Sequence, residues 1–139
     1  MFEIRSVSVS DKSFWFSLDR HLPEGEFELK VRDKRGYVIV GEGESFGIMR
    51  YNLFWDIIPF LTLIHIKEAF QGRGYGRKSM LFWENEMRGL GYKTVMTSTQ
   101  ADEQAQHFYR KLGYIDKGCL FLDNTPLAQP PEIFMLKNL

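Results

Sequence analysis

The sequence is short of cysteine, of histidine and of net charge. One thiol, Cys119, in 139 residues cannot close an internal disulfide, which excludes a small disulfide-stapled secreted domain. That thiol and the three histidines, His21, His65 and His107, show no metal-ligand spacing, so no metal is expected. Eighteen basic residues against eighteen acidic ones leave a formal charge of zero. With no whole-molecule field to hold a polyanion, nucleic acid is not an expected partner, and any anion binding has to be local. Long apolar runs are missing as well. The most apolar segment, Ile57 to Ile66, is interrupted by Pro59 and bounded by His65 and Lys67, far short of the roughly 20 residues of a membrane helix. No membrane partner is expected. The start, Met1, Phe2, Glu3, lacks the basic and apolar stretches of a signal peptide, and a cytoplasmic location is the expectation.

What the chain does have is apolar and aromatic mass. It is 44% hydrophobic and 15% aromatic, with 12 Phe, 6 Tyr and 3 Trp, enough for one sizeable core. The reading is a single domain over residues 1–139. Alternation predicts a strand over Phe2 to Val7, and Ser10 is placed to cap a helix running to His21 before Pro23. A charged helix follows over Phe27 to Lys34. Tyr37 to Val40 and Ser45 to Tyr51 read as a hairpin turning through Gly41, Glu42, Gly43 and Glu44. Pro59 opens a strand, Phe60 to Lys67. Beyond a glycine cluster, Met80, Trp83, Met87 and Leu90 mark one face of a helix over Tyr75 to Leu90. Lys93 to Ser98 reads as a strand, and Ala101, Ala105, Phe108 and Leu112 fall at helical spacing up to Gly113. Tyr114 to Leu122 and Glu132 to Leu136 close the chain as strands, around an irregular loop with Pro126, Pro130 and Pro131.

The chemistry concentrates between the strand at 60–67 and the helix at 75–90. Gln71, Gly72, Arg73, Gly74, Tyr75, Gly76 places three glycines in five positions, so the backbone can turn sharply and aim its N–H groups at an anion. A helix start adds four unpaired donors and about half a positive charge. Between Lys67 and Lys78 four cations (Lys67, Arg73, Arg77, Lys78) face one anion, Glu68. An ordinary strand-to-helix turn with a solvated basic start is the alternative. Two other glycine-loop readings fail on the residues. A dinucleotide fingerprint needs a sixth-position glycine where Arg77 stands, and a triphosphate loop needs Gly, Lys, then Ser or Thr, whereas Arg77 separates Gly76 from Lys78 and Ser79.

Gln71, Gly74 and Gly76, following a strand that ends near Ile66, stand in the register Gln/Arg-x-x-Gly-x-Gly/Ala. Downstream, Asp102, Ala105, Phe108, Tyr109, Lys111, Gly113 and Tyr114 follow Asn-x-x-Ala-x-x-Phe-Tyr-x-Lys-x-Gly-Phe, with Asp102 in place of Asn. Together these motifs resemble the GNAT superfamily of acyl-CoA-dependent N-acetyltransferases. The resemblance implies an α/β (α+β) fold: a mixed, mostly antiparallel, twisted sheet of six to seven strands, flanked by about four helices and splayed between strands four and five. It implies acetyl-CoA as cosubstrate, entering that splay. Its pyrophosphate would lie on the N–H groups of Gly72, Arg73, Gly74, Tyr75, Gly76 and Arg77, beside Gln71, and its pantetheine along the backbone of Ile64, His65 and Ile66. Asp102 falls at a further cofactor contact, where a carboxylate lacks the amide donors of Asn.

Tyr109 falls at the family's usual general acid. A phenol with a pKa near 10 keeps its proton at neutral pH and can donate to a departing thiolate near 8.5. The alternative is a tyrosine packing beside Phe108. A backbone N–H near Ile66 would serve as oxyanion donor by the same resemblance. The general base is not visible, because the aligned positions hold Phe60, Thr62 and Thr97. His65 lies one pleat away, and Glu68, Asp56 or a water chain are the other candidates. The acceptor would be an amine. Glu24, Glu26 and Glu28 could attract it or be a solvated run, and Tyr51, Phe54 and Trp55 could line its pocket or a homodimer contact, with core packing as the default. Cys119 is expected as a small buried strand residue. A non-catalytic acyl-CoA-binding or sensing module of the same fold is the alternative function.

Overall fold

The computed structural model describes residues 1–139. Seven strands lie in the order β1-β2-β3-β4-β5-β7-β6. They are β1 Phe2–Ser6, β2 Gly36–Gly41, β3 Glu44–Phe54, β4 Ile58–Ile66, β5 Thr94–Gln100, β6 Ile115–Leu120 and β7 Glu132–Asn138. The helices are α1 Lys12–Leu18, α2 Glu24–Asp33, α3 Tyr75–Gly89 and α4 Ala105–Lys111, with short 3-10 turns at Val9–Asp11 and Glu68–Phe70. β1 with β2, β2 with β3, β5 with β7, and β6 with β7 pair antiparallel. β4 and β5 pair in parallel at Phe60↔Met96 and Leu61↔Thr97 and no further. The sheet is thus mixed and mostly antiparallel, with four flanking helices, and the pairing of strands four and five ends at Leu61 and Thr97. No helix is long and apolar enough to cross a membrane.

The chain forms two compact units, Met1–Asn52 with Thr62–Asn85, and Leu53–Leu61 with Glu86–Leu139. The first is built on a core of Val7, Trp15, Phe27, Val38 and Ile48. Its β2–β3 turn is tight, because Glu42 and Gly43 both take positive φ, +52° and +81°, as a hairpin turn between right-twisted strands requires. The second unit packs Val95, Met135, Tyr109, Leu112 and Tyr114 as buried residues.

Several elements differ from the sequence reading at their ends. The helix expected from Ser10 to His21 starts in a 3-10 turn, where Asp11 accepts from the Ser8 N–H at 2.8 Å, and it stops at Leu18. Asp19 ends it: its carboxylate accepts from the Trp15 indole at 3.1 Å and from the His21 and Leu22 N–H groups, which holds the chain in a turn. The second helix begins at Glu24, since Pro23 sits at its cap and Glu24 and Glu26 complement its positive end. Leu90 falls beyond α3 and is exposed, although Met80, Trp83 and Met87 are fully buried as expected. α4 starts at Ala105, because Ala101 to Gln104 form turns.

Asp19 also closes the one deeply buried ion pair, with Arg50 Nε at 2.8 Å; Arg50 Nη1 in turn donates to Thr62 Oγ1 at 2.9 Å. Burial alone would raise the Asp19 carboxyl. The Arg50 guanidinium and the two backbone N–H groups outweigh it and hold the carboxyl below its usual range. A depressed carboxyl contributes stability at neutral pH that is lost as pH falls through its folded value. Asp19→Ala leaves a buried guanidinium and an indole N–H without their acceptor. We expect it to lower unfolding stability by about 3–5 kcal/mol, read from urea denaturation, and to flatten the acid limb of stability against pH.

Candidate active site

In the first unit, β4 delivers the chain to the glycine loop. Ile66 is buried, and the Lys67 N–H donates to the Phe46 carbonyl at 2.8 Å. Phe70 stacks on Phe46 with ring centres 4.3 Å apart, and Tyr75 tilts against Phe46 at 4.8 Å. This aromatic stack supports the loop from below. Gln71 Nε2 donates to the Ile66 carbonyl at 2.7 Å, so its side chain ties the loop to the strand end. Gly72 and Gly74 take φ of +73° and +85°, the left-handed region that side chains disfavour. A Cβ at either would meet nothing within 4 Å, so backbone conformation, not crowding, demands glycine there. α3 then begins at Tyr75, with the Lys78 N–H returning to the Gly74 carbonyl at 3.1 Å. None of the N–H groups from Gly72 to Arg77 meets a backbone carbonyl. Six donors in succession at the start of a 15-residue helix make an anion site of the kind phosphates occupy.

The loop cations are arranged around it. Arg73 lies over Phe70 and Tyr75 at 5.3 and 5.5 Å and pairs with Glu42 at 2.9 Å, while Lys78 lies over Phe2 and Tyr75. Arg77 is exposed and makes no ion pair. Glu42 therefore offsets part of the loop's charge. Glu42→Gln should free Arg73 and tighten the binding of a phosphate-bearing ligand at the loop by up to about fivefold, an effect that shrinks with added salt and is measurable by calorimetry at two ionic strengths. Ile64 is half-buried, and His65 between Ile64 and Ile66 is exposed, as alternation along a strand dictates.

In the second unit, α4 sets Tyr109 against β5. The residue is only 7% exposed and contacts Phe108 and Tyr114 edge-on. Its phenol lies near the Thr97 hydroxyl. The Thr97 hydroxyl donates to the Leu61 carbonyl at 3.1 Å. Burial raises the phenol pKa above its ordinary value; the nearby Thr97 hydroxyl opposes this, and the charges of Glu103 and Glu132 add to it. The group is thus a proton holder well past neutral pH. Thr97 is the functional neighbour that the sequence reading missed, having been weighed there only as a vacant base position.

The remaining candidates separate clearly. Thr62 accepts from Arg50, Thr97 donates to the Leu61 carbonyl, and Phe60 is apolar, so none of the three aligned positions supplies a base. Asp102 is exposed in the turn before α4, Glu68 is exposed in the 3-10 turn, and Asp56 is exposed at the β3–β4 turn. Glu24, Glu26 and Glu28 are exposed on α2, with Glu24 paired to Lys12. Tyr51 is buried, but Trp55 is 75% exposed, contrary to the packing expected of it. Cys119 is exposed rather than buried, because β6 is the edge strand of the sheet and all six of its residues face solvent. No group of three or more His, Cys, Asp or Glu side chains is placed to share a metal ion.

Comparison with known proteins gives one family. The model of the acetyltransferase (GNAT) family matches residues 3–114. No curated protein matches the chain at a significant level. Among solved structures, Ard1 from Thermoplasma volcanium superposes with a TM-score of 0.85 at 16% identity, over 99% of this chain and 97% of that one. The ribosomal-protein-S18-alanine N-acetyltransferase from Escherichia coli gives 0.82 at 18% identity, over 99% and 94%. A GNAT family acetyltransferase from Elizabethkingia anophelis with acetyl-CoA bound gives 0.78 at 16%, over 99% and 98%. At these identities the likeness is one of fold.

Proposed function

We propose a direct N-acetyl transfer from this premise: the chain belongs to the acetyltransferase (GNAT) family. Membership carries acetyl transfer from acetyl-CoA as a class of chemistry. The finer reading is a cytoplasmic enzyme that moves the acetyl group to a primary amine of a small molecule, peptide or protein. The observation that carries it is Tyr109, a buried phenol kept protonated at the motif position where the resemblance places a general acid.

The residues present suit the cosubstrate. The N–H groups from Gly72 to Arg77, with the Arg77 and Lys78 charges nearby, would hold its phosphates, and Gln71 positions that loop through Ile66. Backbone groups of Ile64, His65 and Ile66 would take its amide-bearing arm. Acetyl-CoA supplies an acetyl group on a thioester, and a neutral amine needs no further activation to attack it. Tyr109 contributes an O–H that can turn toward a developing thiolate. Because its pKa exceeds that of a thiol, near 8.5, the phenol acts chiefly by hydrogen-bonding the thiolate, and solvent completes the protonation.

A second reading, an acyl-CoA-binding or sensing module, is favoured by one observation: Thr62 and Thr97 stand, already hydrogen-bonded, where a base would be sought. Turnover separates the two. Release of CoA thiol from acetyl-CoA is measured against a panel of amines, peptides and proteins from about pH 6 to about pH 10. The enzyme reading expects an acceptor that drives release. Binding of acetyl-CoA without release for any acceptor supports the module.

A further inference from the structure

We propose that the second unit carries a separate groove for an amphiphile with an apolar body and one negative headgroup. The groove has a volume of about 410 Å³ and is floored by Phe54, Ile58, Met96, Phe134 and Leu136, a size and lining typical of small-molecule sites. It does not belong to the Tyr109 face. Met96 precedes Thr97 in β5, and successive side chains of a strand point to opposite faces. Thr97 lies beside Tyr109, so Met96 and the groove lie on the other side of the sheet.

Charge selects the occupant. Lys117 is the one charged residue of the lining. It sits in the irregularity between Asp116 and Gly118, where β6 slips against β7, and such bulges re-aim a side chain. Its neighbour Asp116 is taken by Arg110 at 2.9 Å, and Lys117 makes no ion pair of its own. An unpaired ammonium beside apolar walls favours a carboxylate with an apolar chain. It disfavours a protonated amine, which sets this groove apart from an acceptor site. The rim is aromatic: Trp55 is 75% exposed and holds φ of +54°, with Asp56 following at +64°. A bulky residue in that region is a genuine outlier, and here it keeps an indole at the mouth of the groove.

Two built-in reporters make the test direct. Trp15 and Trp83 are fully buried, so Trp55 is the exposed indole, and Cys119, in the lining, is the only thiol. The full chain is titrated with decanoate below its micellar range while indole emission and the rate of Cys119 alkylation are followed. We expect a saturable emission change that is lost in Trp55→Phe, together with slower alkylation. Lys117→Glu should weaken decanoate binding by about tenfold or more, and Lys117→Gln by less. Decylamine binding as tightly as decanoate would overturn the proposal and make the groove a cation site. So would absence of both signals. Protection of Cys119 that rises with protein concentration and ignores decanoate would also overturn it, because a second copy would then be the occupant.

Discussion

Tyr109→Phe should lower acetyl transfer by up to roughly 100-fold, the low end for loss of a positioned proton donor, because the phenol acts chiefly by hydrogen-bonding the thiolate, with acetyl-CoA affinity and fold retained. Phenylalanine keeps the ring that packs against Phe108 and Tyr114 and deletes only the hydroxyl. Thr97 still donates to the Leu61 carbonyl, so no buried donor is left unpaired. Because burial raises the phenol pKa, the parent should hold its rate to above about pH 10 before the O–H is lost, and the variant should lack that high-pH limb. Thr97→Val, which removes the hydroxyl beside the phenol, should reduce the rate far less. A parental rate in Tyr109→Phe would make Tyr109 a packing residue with no part in stabilising the thiolate.

Gly74→Asp should abolish acetyl-CoA binding while the protein remains folded. At 100 times its dissociation constant a ligand stabilises the native state by about 2.7 kcal/mol, which for a chain of this size raises the melting temperature by about 5–10 °C. The substitution sets a carboxylate on a backbone at φ +85°, with open space around the new Cβ. Its charge then occupies the mouth of six N–H donors where phosphate would sit. Melting in the presence of acetyl-CoA, NAD and ATP reads the outcome. The parent should respond to acetyl-CoA and little to the other two, and Gly74→Asp to none. Gly74→Ala, strained but uncharged, should keep part of the shift. A folded Gly74→Asp that binds acetyl-CoA like the parent would place the cosubstrate elsewhere.

The loop was legible in the sequence because its requirement is local. Glycines at 72 and 74 report their own positive φ, and the cations from Arg73 to Lys78 lie within one turn of chain. The α3 face was legible for the same reason, through the spacing of Met80, Trp83 and Met87. What sequence could not show is pairing across distance. Asp19 meets Arg50 31 residues away, and Tyr109 finds Thr97 from a different element; neither partner is marked by spacing. Exposure of Cys119 depended on β6 being an edge, a consequence of β7 inserting between β5 and β6. Trp55 was misread because aromatic residues are usually packed, whereas here the hairpin turn lifts it out. The first helix ended early because a side chain captured the backbone, as Asp19 does after Leu18.

Following the acetyl group itself tests the account most directly. The protein is incubated with acetyl-CoA carrying an isotopic label in the acetyl carbon and with the acceptor that best drives CoA release, and both products are resolved by mass spectrometry. The account predicts one labelled acetyl on an acceptor nitrogen for each CoA thiol released, with none retained on the protein. Labelled acetyl-CoA that binds, stabilises the fold and remains intact with every acceptor would contradict it.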